Sequence, residues 1–283
     1  MTREAAMRRL TPERQKLKAE ALSLRYDYGL SQPKIAVMLG VPRTTIERWT
    51  DRNTNGRGDQ NSTTFVHLEG DCLVRLKDIP DNSVDCLLTD PPYSVMEDYE
   101  WDKKDDQFYH EWLSLVKTKL KTRHTGFIFF DPRRSYEFEG ILRNYFAIKD
   151  RIVWIRKNMS MGRVVKNTFI SSYEFIYYFG NRPLDLPRTW GPERFNSCEF
   201  AVPQSNFGDK KLHPTQKPIN LILHLAKVGS RPSDVILDCF AGSGVVAKAC
   251  QILGGRKCIL IEIDPEYNKL IKQVISNGRN NQI

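Results

Sequence analysis

The stretch DVILDCFAGSGVVAKACQILG, residues 234–254, decides the architecture. Its apolar start VIL suits a short buried strand, FAGSG interrupts with two glycines, and VVAKACQIL resumes apolar residues at helical spacing. Strand, turn and helix in direct succession are the building unit of an α/β sheet. Gly242 and Gly244 would let the backbone pass close to a ligand at the helix entrance, where a side chain would collide. A GxG pair is common to many nucleotide folds, so the next strand matters. It is KCILIEID, 257–264, and it places Glu262 where an acidic side chain in such a fold accepts hydrogen bonds from both hydroxyls of a ribose. A nucleoside-bearing cofactor is implied. The chain has no GxxxxGKS or GxxxxGKT phosphate loop, and FAGSG is not the GxGxxG of dinucleotide sites.

The same alternation runs back toward the N-terminus. FVHLEG (65–70), VDCLLTD (84–90), GFIFFD (126–131), RIVWIR (151–156) and YEFIYYF (173–179) read as strands. Helical spacing covers 107–121, 135–145, 218–228, 244–253 and 265–276. The pattern predicts a mostly parallel, seven-stranded Rossmann-like sheet with helices on both faces, over residues 65–283. In such sheets ligands lie outside the carboxyl ends of the strands, where strand order reverses. Two strands end in chemically unusual loops, DCFAGSG and TDPPY, about 150 residues apart, and they are expected to meet at one crevice. In TDPPY, 89–93, two prolines remove two backbone donors and lock two φ angles, so this loop is built to be held rigid.

Residues 1–52 form a second, all-α domain. Helices are expected at 13–28, 32–39 and 43–49, with a tight turn at GVP, 40–42. Ala36, Leu39, Val41, Ile46 and Trp49 make a miniature core and leave Arg43, Thr44, Thr45 and Arg48 outward. SQPKIAVMLGVPRTTIERW, 31–49, resembles the helix-turn-helix of phage and transposon DNA-binding proteins, which implies that the last helix enters a major groove on those four residues. Pro42 stands where a Ser or Thr cap is common. Residues 53–64 are polar and aperiodic, and read as a linker. Net charge is +9, and residues 1–58 hold 12 Lys/Arg against 6 Asp/Glu, an excess of 6 that leaves 3 for the rest of the chain. A polyanionic partner fits that imbalance. Six cysteines without a CxxC pair read as buried reduced thiols with no metal site, and RGD at 57–59 is chance within the linker. No apolar run is long enough for a membrane helix, so a cytoplasmic protein is expected.

Taken together, TDPPY, DCFAGSG, IEID, the run GDCLVRLKDIPDNSVDCLLTDPPY (70–93) and HPTQKP (213–218) resemble the β-class S-adenosylmethionine-dependent DNA amino-methyltransferases, whose catalytic motif precedes the cofactor glycines as it does here. The resemblance covers roughly residues 64–276. It implies that Asp71, with Cys72, meets the cofactor adenine, that Glu262 holds its ribose, and that Phe240, Ala241, Gly242, Ser243 and Gly244 line its methionine part. Asp238 would orient that loop, and Thr215 and Lys217 would secure the amino-acid end. Asp90 borders both cofactor and target. Its carboxylate and the Pro91 carbonyl would accept the two hydrogens of an exocyclic amine, the fixed Pro91 and Pro92 would keep those acceptors in place, and Tyr93 would stack on a base flipped out of double-stranded DNA.

DPPY is the form usually tied to adenine N6 in this family, with cytosine N4 the alternative. A catalytically idle DNA-binding regulator and an RNA methyltransferase are the competing functions. Residues 157–172 and 181–212 are basic and aromatic with little periodicity, and the second occupies the slot of the family's target recognition region. The acidic segment 94–106 reads as a mobile loop over the crevice. The family implies a homodimer as one open assembly and restriction-modification as one setting.

Overall fold

The computed structural model describes residues 14, 17, 18, 21, 32–50, 63–95, 102–157, 169–186, 194–203 and 216–280, the side chains of Lys34, Arg48 and residues 277–280 excepted. The chain divides into two compact units, residues 1–59 and 60–283.

In the first unit, α1 (Gln32–Leu39) and α2 (Arg43–Thr50) are joined by a turn at Gly40. Gly40 has φ +61, and the amides of Gly40 and Val41 bond back to the carbonyls of Val37 (3.4 Å) and Ala36 (3.1 Å). Two orphan carbonyls at the end of α1 are thereby satisfied, the usual reason for glycine there. Pro42 starts α2 with its backbone alone, its carbonyl accepting from the amides of Thr45 (2.8 Å) and Ile46 (3.1 Å). Ile35, Ile46, Trp49 and Ala21 form the miniature core, with Leu17, Ala36, Leu39 and Val41 packed against it. Ile35 was not among the expected core residues, and Val37 and Met38 of the same helix remain exposed. Arg43 and Thr44 are exposed, Thr45 is half-buried, and Arg43 pairs with Glu47 at 2.6 Å. The Arg48 side chain, linker residues 53–62 and most of helix 13–28 lie outside the described residues, and Thr64, expected to end the linker, already pairs in β1; Arg14, Leu17, Lys18 and Ala21 are helical where that helix was expected.

The second unit is built on an eight-stranded sheet. In chain order its elements are β1 (Thr64–Glu69), α3 (Cys72–Arg75), β2 (Val84–Thr89), α4 (Asp106–Lys119), β3 (Leu120–Phe130), α5 (Ser135–Leu142), β4 (Ile148–Arg156), β5 (Tyr173–Gly180), β6 (Ser197–Phe200), α6 (Ile219–Gly229), β7 (Val235–Asp238), α7 (Val245–Leu253), β8 (Lys257–Glu262) and α8 (Pro265–Asn280). The order across the sheet is β1-β8-β7-β2-β3-β5-β4-β6. All seven expected strands are present. The eighth, β6, is a parallel addition to β4 from within the segment assigned to target recognition. Its four residues, SCEF, are too few to show a period, and only pairing with β4 makes them a strand. β5 runs antiparallel to both β3 and β4, while the other five pairings are parallel.

Buried at all six positions, β2 is a strand covered on both faces, and Asp85, its one charged residue, is paired with Lys121 of β3 at 2.8 Å. Side chains of β3 alternate between those faces. Phe130 stacks on Phe138 of α5 (3.9 Å between centroids) and meets Tyr109 of α4, whereas Phe127 lies against Gly229 of α6. All six cysteines are free thiols, five of them buried. Among the described residues no helix is long and apolar enough to cross a membrane.

The strand order reverses between β2 and β7. From β2 the sheet grows through β3 toward β6, and from β7 through β8 to β1. Cys86 and Leu87 of β2 pair in register with Ile236 and Leu237 of β7. This is the switch point at which an open α/β sheet offers a crevice, and the two unusual loops leave the sheet on either side of it.

Candidate active site

A cleft of about 320 Å³ opens over the carboxyl ends of β2, β7 and β8. Thr89, the last residue of β2, ties the two loops together. Its hydroxyl donates to Asp238 Oδ1 (2.8 Å) and accepts from the Cys239 amide (3.1 Å), and Asp238 Oδ1 also accepts from the Phe240 amide (3.1 Å). Sequence reasoning assigned Thr89 no role. The available signal was a polar residue closing the apolar run Cys86–Leu88 directly ahead of DPPY.

Of the expected cofactor residues, Asp71, Cys72, Asp90, Lys217, Asp238, Phe240, Ala241, Gly242, Ser243 and Glu262 line this cleft. Gly244 does not. It stands at φ +78 as the N-cap of α7, and a Cβ there would meet Ile271 of α8 at 3.3 Å. Backbone conformation and helix packing therefore explain Gly244, where close approach of a ligand was expected. Thr215 lies outside the described residues. Gln216, Phe108, Ile263 and Tyr267 line the cleft without having been anticipated.

The carboxylate of Glu262 is buried and accepts from the amides of Gly242 (2.6 Å) and Asp264 (2.8 Å). Two bonds leave about half of a carboxylate's acceptor sites for a diol. Burial raises the Glu262 pKa, and the two amides hold it down in part. Asp71 caps α3 through one oxygen, bonded by the Leu73 amide at 2.7 Å. Acidic acceptors at two points of a cleft with apolar walls fit a nucleoside carrying hydroxyl and amino donors.

The second half of the cleft belongs to TDPPY. Asp90, a quarter exposed, pairs with Lys217 Nζ at 2.8 Å, and Lys217 pairs with the buried Glu174 at 3.0 Å. The Lys217 ammonium also lies 5.2, 5.3 and 5.9 Å from the ring centroids of Tyr93, Phe129 and Trp154. Burial opposes its charge, and the Asp90 and Glu174 carboxylates outweigh that, so its pKa stands above the usual lysine value. Burial is also what lifts Asp90 above the usual carboxylate range; Lys217 pulls it down and Glu174 pushes it up. The Tyr93 ring is buried against Phe130 (5.1 Å), and its single hydroxyl hydrogen goes to Asp90, with Glu174 standing 3.3 Å away as a second acceptor. Tyr109 donates to the Pro92 carbonyl at 2.6 Å and fixes the loop from α4.

Asp102 anchors the acidic segment that follows Tyr93. It is buried, and its carboxylate accepts from the amides of Tyr93 (2.6 Å) and Val95 (2.7 Å). Ser94 Oγ adds bonds to the carbonyl and amide of Lys104 (2.6 and 2.8 Å). Both described ends of the segment are held; residues 96–101 lie outside the described residues.

Burial brings the Asp238 carboxyl up to about 7, against the opposing bonds from Thr89 and Phe240. A raised folded-state value means that stability is fully present below the unfolded pKa and is lost as pH rises toward 7. Relative to Asp238→Asn, whose Oδ1 can keep both bonds, the wild-type chain should lose roughly 2–3 kcal/mol between pH 5 and pH 8. Urea unfolding of both proteins across that range checks it, and parallel stability curves would refute it.

Residues 84–273 match the family model for DNA methylases, and residues 12–60 match the model for homeodomain-like domains. The chain is 30% identical over 251 residues to the DNA adenine methyltransferase YhdJ of Escherichia coli K12, covering 76% of this chain and 83% of that one. Among solved structures, M1.HpyAVI in its complex with SAM superposes with TM-score 0.59 at 22% identity, covering 75% of this chain and all of that one. The PvuII DNA methyltransferase, cytosine-N4-specific, superposes with TM-score 0.61 at 17% identity, covering 80% and 97%.

Proposed function

The chain belongs to the DNA methylase family, and from that premise we propose that it transfers a methyl group from S-adenosylmethionine to the N6 amino group of an adenine turned out of duplex DNA. The observation that carries this is the junction of the two loops through Thr89 and Asp238, which sets the Asp90 carboxylate beside the nucleoside-binding half of the cleft. When bound, S-adenosylmethionine supplies a methyl carbon made electrophilic by its sulfonium. Glu262 and Asp71 would hold its nucleoside, and Phe240 to Ser243 would border the rest.

An exocyclic amine on a base is a poor nucleophile because its lone pair is delocalised into the ring. Acceptance of its two hydrogens by the Asp90 carboxylate and the Pro91 carbonyl favours a pyramidal nitrogen with the lone pair free. The prolines and the Tyr109 bond to Pro92 keep those acceptors in place, which lowers the reorganisation needed at the transition state. Positive charge develops on that nitrogen, where the Asp90 carboxylate stabilises it and stands as acceptor for the proton that must leave. The Tyr93 hydroxyl now donates to Asp90, so the arriving amine replaces it, and the Tyr93 ring, which lines the cleft, is the surface on which the base would stack.

Extruding a base costs a few kcal/mol, offset by backbone contacts. The helix-turn-helix, through Arg43, Thr44, Thr45 and Arg48, is the first source of such contacts, and segments 157–172 and 181–212 are the second. Because β6 takes four residues of 181–212 into the sheet, the length left for recognition is shorter than its numbering implies.

Incubation of the purified chain with methyl-labelled S-adenosylmethionine and mixed-sequence DNA, followed by digestion to nucleosides, tests the proposal. Label is expected in N6-methyladenine. Label in N4-methylcytosine would redirect it, and no label despite binding of both substrates would overturn it. In the same assay, removal of residues 1–59 should leave the labelled base unchanged and weaken DNA affinity at least tenfold; equal affinity would strip the helix-turn-helix of its role.

A further inference from the structure

Glu174 stands second in β5, in YEFIYYF, and belongs to none of the motifs that identify the family. A glutamate on a strand ordinarily faces water. Here it shares the inward register of Ile176 and is 8% exposed. Its two oxygens meet three groups: Lys217 at 3.0 Å, the Tyr93 hydroxyl at 3.3 Å and Arg156 of β4 at 3.5 Å. Two of those three, Lys217 and Tyr93, are also the partners of Asp90.

Resting on the methyltransferase reading above, we propose that Glu174 is a positioning residue for methyl transfer, which shares Lys217 and Tyr93 with Asp90 and thereby sets how much of the Asp90 carboxylate the target amine can use. The first half of the mechanism is competition for one ammonium. Lys217 lies in a ring-lined pocket between two carboxylates, and Glu174 draws it away from full engagement with Asp90. Without that pull, Lys217 would close on both oxygens of Asp90 and occupy the acceptor positions the amine needs. The second half is a hand-over. When the amine displaces the Tyr93 hydroxyl from Asp90, that hydroxyl needs another acceptor, because a buried donor left unpaired is destabilising. Glu174 already stands within reach, anchored from the far side by Arg156.

The charged and titratable groups that face Asp90 are Lys217 ahead of α6, Glu174 of β5, Tyr93 of its own loop and Asp238 at the end of β7, with Arg156 of β4 behind Glu174 and Asp131 after β3 near Tyr93. Of these, Glu174 is the like charge that raises Asp90. Its loss should therefore move the acidic limb of the pH–rate profile to lower pH while also slowing the reaction, a pair of effects that a merely structural residue would not produce.

The test compares full-length wild type, Glu174→Gln and Glu174→Asp under single-turnover conditions at saturating S-adenosylmethionine and DNA, with binding of each measured separately. Glu174→Gln is expected to slow methyl transfer by about 10- to 100-fold, to shift the acidic limb downward and to change either affinity by no more than about threefold. Glu174→Asp, which keeps the charge, should recover much of the rate and the original limb. In a Tyr93→Phe background, where no hydroxyl needs a new acceptor, Glu174→Met, which removes the acceptor as well as the charge, should cost less than it does alone. An unchanged rate and limb in Glu174→Gln, a loss confined to binding, or failure of both Glu174 variants to fold would each overturn the proposal. Failure of the wild-type chain to label DNA would instead defeat the parent reading, so the two are separable.

Discussion

Asp90→Asn is expected to lower the single-turnover rate of methyl transfer by about a thousand-fold while S-adenosylmethionine affinity changes by less than about tenfold. Asparagine keeps the shape of the side chain and one acceptor, but its amide turns a donor toward a site that must accept hydrogens from the target amine. It also removes the 2.8 Å ion pair to Lys217 and the negative charge beside the nitrogen that becomes cationic. The groups that would hold the nucleoside, Glu262 and Asp71, are carried by β8 and by the N-cap of α3, so binding should survive. Filter-binding of labelled methyl groups and calorimetric titration of the cofactor separate the two quantities. Retention of a tenth of the wild-type rate would show that Asp90 does not carry the chemistry.

Lys217→Met should destabilise the folded chain by about 3–5 kcal/mol, the range seen when one partner of a buried ion pair is removed and the other is left charged. Methionine fills nearly the same volume, so the loss arises from the two carboxylates rather than from a cavity. Asp90 is a quarter exposed and can recover water; Glu174 cannot, and its other cation, Arg156, is 3.5 Å away. The double variant Lys217→Met with Glu174→Gln should therefore regain more than half of the loss. Urea unfolding at pH 7 measures both, and a loss below about 1 kcal/mol for Lys217→Met would place the cost of its own burial above the benefit of its pairs.

Lys217 also shows where sequence reasoning stops. HPTQKP marked it as a residue of the cofactor's amino-acid end, and it does line the cleft, yet its ammonium is taken by Asp90 and Glu174. Nothing local to Lys217 announces those partners, which lie 127 and 43 residues earlier in the chain. Asp102 is a similar case. Within SVMEDYEWDKKDD it is one of several acids, and only the fold selects it to bind the amides that follow DPP.

From its order of residues alone, this protein was legible as an α/β sheet with a small helical domain ahead of it, seven strands in place, and two loops that had to meet. Those features rest on short-range physics: apolar runs that make strands, helical spacing, and turn residues that stop them, all expressed within a dozen neighbours. Tertiary structure alone decided the eighth strand, the turn of α1 that buries Ile35, the packing that accounts for Gly244, and the Glu174–Lys217–Asp90 chain. Each of these depends on which distant segments lie side by side. That is set by the antiparallel insertion of β5 between β3 and β4, and by the reversal between β2 and β7, neither of which leaves a mark on local periodicity.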